Sequence, residues 1–132
     1  MIQEAGKRAF SDLANEIINL DPGILSCVLL SDPQGSVLAR VAQREFQHDL
    51  DLPKDTEGMA GHWAILAFNA MKRLDAARSK TKFIVVGCED HKALIFPVSY
   101  QGNDLLLIMS VRLRLETSDL YERITRFLTA HP

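Results

Sequence analysis

The chain has 132 residues, of which 47% are hydrophobic and 24% charged, and its formal net charge is −2. A chain of this length buries roughly two-thirds of its unfolded surface, so the composition excludes general disorder and the size needs no staples. The near-neutral charge offers no basic field for nucleic acid, and no apolar stretch approaches the roughly 20 residues of a membrane span.

Residues 3–20 are predicted helical, because Phe10, Leu13, Ala14 and Ile17 recur at helical spacing among polar residues. This charged, helical start differs from a secretory signal peptide. Asp21-Pro22-Gly23 ends the helix. Residues 24–31 are apolar on both alternations, which predicts a strand covered on both faces. The turn signal Asp32-Pro33-Gln34-Gly35 and a return strand over 37–41 complete a hairpin. Residues 43–56 are polar and irregular, and are expected as a long loop holding Glu45, His48, Asp49 and Asp51.

Residues 57–78 predict a central helix with more apolar surface than one sheet face covers. Met59, Trp63, Leu66, Ala70, Leu74 and Ala77 form one stripe, Ala64, Phe68 and Met71 adjoin it, and Ile65 lies further round. Such an excess points to a protein partner. Three strands are expected next, over 82–88, 92–98 and 105–113, joined by short turns as an antiparallel meander. Pro97 donates no ladder bond and is assigned to a bulge or the strand's end. A last helix spans 118–129, its apolar face made by Leu120, Ile124, Phe127 and Leu128, with Asp119 and Glu122 as a capping pair.

The expected order is α-β-β-α-β-β-β-α, an α+β domain covering residues 1–132 with no internal repeat. The two strands that lack a polar face belong side by side in the middle, which predicts the strand order 2-1-5-4-3.

Few residues suggest chemistry. No phosphate-binding loop, dinucleotide fingerprint or nucleophile elbow occurs, so no cofactor is nominated and an enzyme is the weakest reading. Cys88-Glu89-Asp90-His91 could be half a metal site, but no second pair of ligands follows at zinc spacing, and a polar turn is the preferred reading. The acidic loop with His48 matches no calcium loop and is read as solvated. Lys72, Arg73, Arg78, Lys80 and Lys82 suit a helix C-terminus better than nucleic acid, since no exposed aromatics interleave them. Cys27 and Cys88, both in apolar runs, are expected as buried free thiols, which fits a reducing cytoplasm. Trp63 and Phe68 could instead line an apolar ligand pocket, which keeps open a small-molecule sensor of profilin-like or PAS-like shape.

The sequence resembles the Roadblock (dynein light-chain) family of the profilin-like, Roadblock/longin group across nearly its whole length. The likeness rests on residues 24–38, on the long helix 57–78, and on Ala93-Leu94-Ile95-Phe96-Pro97-Val98 leading to Leu105-Leu106-Leu107-Ile108-Met109. It is nearest to small stand-alone archaeal members, through a leading helix that ends in Leu20-Asp21-Pro22. The resemblance implies a non-enzymatic cytoplasmic module that pairs with itself or a paralogue and serves as a scaffold or regulator of a small GTPase. It implies a dimer interface of Ala64, Ile65, Phe68 and Met71 on the central helix and Phe83 and Val85 on the third strand. The loop over 43–56 is longer than the family's usual connection, and Trp63 and Phe68 are bulkier than its usual central-helix residues.

Overall fold

Strands β1 (Ile24–Ser31) and β5 (Asn103–Val111) lie side by side at the centre of one antiparallel sheet, as their lack of a polar face demands. The computed structural model describes residues 4–31, 36–44 and 82–130. Strands β2 (Val37–Ala42), β3 (Ile84–Gly87) and β4 (Lys92–Tyr100) complete the order β2-β1-β5-β4-β3. The helix expected over 57–78 and most of the preceding loop lie outside the described residues.

The side-chain alternation of β5 separates the two faces. Leu105, Leu107, Met109 and Val111 join Cys27, Leu29, Leu94 and Phe96 in the main core. Over this face lie α1 (Glu4–Ile18), which brings Phe10, Leu13, Ala14 and Ile17, and α2 (Thr117–Ala130), which brings Leu120, Ile124 and Leu128. Leu106 points the other way and packs with Leu30 and Ile95; Val28, Ile84 and Ile108 surround them half-buried. No described helix contributes to this second cluster.

Helix α1 stops at Ile18, two residues short of the expected end, and the chain turns through a tight knot around Asp21. The Gly23 N–H donates to Asp21 Oδ1 (2.7 Å), and Arg123 Nη2 donates to Asp21 Oδ2 (2.7 Å). Arg123 Nε lies 3.3 Å from Asp119 Oδ2, out of line for a hydrogen bond. A carboxylate with both oxygens occupied thus ties the exit of α1 to α2 across 102 residues of sequence. The Gln43 side chain holds the neighbouring strand ends, donating to the carbonyls of Pro22 (3.0 Å) and Ile24 (2.7 Å).

The cap of α2 differs from the predicted Asp119–Glu122 pair. Glu116 precedes the helix, and its carboxylate accepts the N–H groups of Ser118 (3.1 Å) and Asp119 (2.7 Å). These two bonds satisfy orphan donors of the first turn and hold the Glu116 carboxyl below its ordinary range.

Pro97 also departs from expectation. It sits within β4, opposite Leu106, with no break in the register. The reason lies in the ladder's alternation. Cys88 N–H donates to His91 O across the β3–β4 turn (2.9 Å), so hydrogen-bonded pairs recur every second residue along β4, at Ala93 and Ile95. The next such position is Pro97, and β3 has ended at Ile84 opposite Ile95. The missing N–H therefore faces a side where no strand continues, which a proline tolerates. β4 runs on to Tyr100 because its turn is only Gln101-Gly102, whose φ values of 50° and 77° match the twist of a tight hairpin.

Because Arg123 holds Asp21 in its charged form, with Gly23 N–H assisting, the Asp21 pKa lies below its ordinary value. The link contributes stability above the unfolded carboxyl pKa and loses it as pH falls through the folded one. Asp21→Asn should therefore lower unfolding stability by about 1–3 kcal/mol at pH 7. Urea titrations should show the difference from the parent shrinking at acid pH; a deficit constant from pH 7 to pH 2 would refute the assignment.

Candidate protein-interaction surface

The third strand forms one edge of the sheet and is only four residues long. Its β-branched residues suit an extended chain, and β4 pairs with it on one side only. Val85 is 42% and Val86 46% exposed, and they project to opposite faces of the strand. No charged side chain lies within Ile84–Gly87, and a Cβ built on Gly87 would meet nothing within 4 Å. By the same alternation as above, Phe83, Val85 and Gly87 turn their backbone polar groups outward. Soluble proteins usually guard such an edge with lysine, proline or a bulge. Among the described residues only its shortness guards it.

An aromatic stack fixes the start of this edge. The Phe83 ring lies 5.1 Å from that of Tyr121, and Tyr121 meets Phe96 edge-on at 4.8 Å. Phe83 is thereby half-buried against α2, while Val85 is left open. The other edge strand, β2, carries Arg40 in its middle. Beside β3, Ile84 joins the second apolar cluster of Leu30, Ile95 and Leu106, so the exposed edge runs directly into the sheet face that neither α1 nor α2 covers.

Of the six expected interface residues, Phe83 and Val85 fall together at this edge. Ala64, Ile65, Phe68 and Met71 lie outside the described residues, as does Trp63. Sequence reasoning missed Val86, although a short strand without charge must expose one of two adjacent valines. It also left Tyr121 off the apolar face of the last helix, although Tyr121 precedes Leu128 by two turns.

Among the described residues, those singled out for chemistry do not converge; the loop with Glu45, His48, Asp49 and Asp51 lies outside them. His91 Nδ1 lies 2.7 Å from Asp90 Oδ1 at the β3–β4 turn, and among the described residues no three metal-ligating side chains meet. The two thiols differ, against the expectation that both are buried. Cys27 lies on the core face of β1, where burial pushes its pKa up to about 12. Cys88 is exposed, because β3 ends one residue before it and the chain has begun to turn. No described helix is long and apolar enough to cross a membrane.

A five-stranded antiparallel sheet in the order 2-1-5-4-3, with the first and last helices on one face, is an α+β fold of the profilin-like class. More narrowly, it is the Roadblock fold. The Roadblock/LC7 domain from Streptomyces avermitilis superposes with a TM-score of 0.64 at 14% identity, covering 91% of this chain and 92% of that one. MglB from Myxococcus xanthus gives 0.63 at 9% identity over 98% and 95%. The gliding protein MglB from Thermus thermophilus gives 0.62 at 15% identity over 98% and 95%. An MglB with a tetrameric arrangement gives 0.60 at 16% identity over 98% and 94%. No family model and no curated protein matches the sequence.

The contrast between the thiols is measurable. An aromatic disulfide reagent should titrate one thiol per native chain, that of Cys88, and the second only on unfolding. Equal rates for both in the native protein would contradict the burial of Cys27.

Proposed function

We propose that this chain is a non-enzymatic interaction module that pairs with a second copy of itself or a paralogous chain through the β3 edge, and that the paired module serves as a scaffold or regulator of a small GTPase. The observation that carries this reading is the unguarded edge strand with Val85 and Val86 both exposed. An edge of that kind is a template for another strand, and self-association hides it.

The edge alone is insufficient. Four residues span only about 13 Å at ~3.3 Å per residue. A stable interface removes about 1,200–2,000 Å² from water in total. The sequence supplies the remainder in the helix expected over 57–78, whose spacing would set Ala64, Ile65, Phe68 and Met71 beside the stripe that a sheet can use. Phe83 and Val85 then form the strand part of the interface, and these residues the helical part. The whole of residues 1–132 acts as one domain in this reading. The solved neighbour with a tetrameric arrangement supports self-association as a property of this fold. The regulatory role rests on the resemblance to the Roadblock family.

Sedimentation equilibrium at micromolar concentration tests the pairing. The expected mass is twice the chain's 14.8 kDa. Val85→Lys and Phe68→Asp should each return it to the mass of one chain, since each places an unpaired charge in the interface. A parent protein that sediments as a single chain would overturn the proposal. For the partner, the paired module should change nucleotide exchange or hydrolysis by a small GTPase encoded in the same genome, and Val85→Lys should abolish the effect.

A further inference from the structure

The β3 edge has a shape and a charge pattern that its own copy completes. Its outward backbone groups belong to Phe83, Val85 and Gly87, as the ladder to β4 sets them. A strand that adds in antiparallel sense must meet outward residues with outward residues, because those are the ones free to exchange hydrogen bonds across the new pair. Two copies related by a two-fold axis therefore have few registers. With the axis at Val85, that residue meets Val85 of the partner subunit, and Phe83 meets Gly87 of the partner subunit. Every outward group of the edge is then used. An axis at Ile84 carries Gly87 past Phe83 of the partner subunit, and an axis at Val86 carries Phe83 past Gly87 of the partner subunit into the turn.

The side chains agree with the axis at Val85. On the face toward α2, Phe83, the largest side chain of the edge, stands opposite a residue that has none. Among the described residues, a Cβ built on Gly87 meets nothing within 4 Å, so the space is there. On the other face Ile84 stands opposite Val86 of the partner subunit, which covers a side chain that is 46% exposed in the single chain. The two ends carry opposite charge. Lys82 precedes the strand, Glu89 and Asp90 follow it, and all three are exposed. Antiparallel pairing sets Lys82 opposite Cys88 of the partner subunit, one residue from the acidic turn. Asp90 Oδ1 already lies 2.7 Å from His91 Nδ1, so Glu89 is the acid best placed for the lysine. A parallel partner strand would instead set like charges together at both ends.

We infer, on the reading that β3 is the pairing edge, that its partner is a second copy of this chain. The copies pair antiparallel about a two-fold axis through Val85, and Lys82 and Glu89 at the two ends select self over a paralogue.

The test combines a distance with a charge swap, both on the full chain. The exposed thiol of Cys88 takes a nitroxide label for electron double resonance. In this register the two labelled positions lie about 20 Å apart along the sheet at ~3.3 Å per residue, against about 13 Å for an axis at Val86 and about 26 Å for one at Ile84. Lys82→Glu and Glu89→Lys should each weaken pairing about tenfold in sedimentation, since each sets like charges together at both ends. An equimolar mixture of the two variants should pair as tightly as the parent, since every end then joins unlike charges. If the label splits the pair, the charge swap alone decides. A mass of two chains with a separation far from 20 Å overturns the register and leaves pairing through β3 standing. Single variants that pair like the parent, or a mixture no tighter than either alone, overturn the selection by charge. A parent that sediments as one chain overturns both the pairing and its register.

Discussion

Two strands that are apolar on both sides govern the molecule. A strand such as Leu105-Leu106-Leu107-Ile108-Met109 has no face that water can wet, so it must sit inside a sheet that is covered above and below. β1 makes the same demand, and the two satisfy each other by pairing. Everything more polar is then displaced outward. β2 and β4 flank the pair, β3 falls to the rim, and α1 and α2 share one face. The second face carries the complementary demand from Val28, Leu30, Leu106 and Ile108.

This is why so much of the architecture is legible in the sequence. The sheet order follows from hydrophobic alternation and short turns, and neither depends on distant detail. What is not legible depends on pairs of residues far apart, or on hydrogen bonds that any of several acceptors could make. Arg123 reads as one of several scattered arginines until the fold sets it beside Asp21. Glu116 lies just outside a helix whose start looks better served by Asp119, and only the backbone path shows that its carboxylate reaches two N–H groups. Cys88 follows an apolar run and reads as core, but the run belongs to a rim strand that stops before it.

The candidate interaction surface is half legible. The likeness to the Roadblock family brings Phe83 and Val85 forward, and both lie at the exposed edge. Their environments differ in a way that sequence does not show. Phe83 is held by Tyr121, and Val85 is bare. Pro97 is the opposite case. The rule that proline avoids central strands is sound, yet it leads to the wrong place here because it tests a whole strand. The physical requirement concerns one side of one residue. β4 is central as far as Ile95 and an edge beyond it, and Pro97 stands where that change occurs.

The pairing of β1 with β5 has a consequence for how the chain acquires its shape. Their contacts join segments separated by some eighty positions, as in Val28 with Ile108 and Leu29 with Leu107. Bringing such distant segments together loses much chain entropy before any contact forms, which slows folding relative to proteins built from local contacts. On a ribosome, β1 emerges before β5, and although α1 and β2 can cover part of it, its edge toward β5 stays open until that strand follows. The nascent molecule thus carries an incompletely covered hydrophobic strand while the segment between β1 and β5 is made, and conditions that prolong translation of that segment should raise its dependence on chaperones.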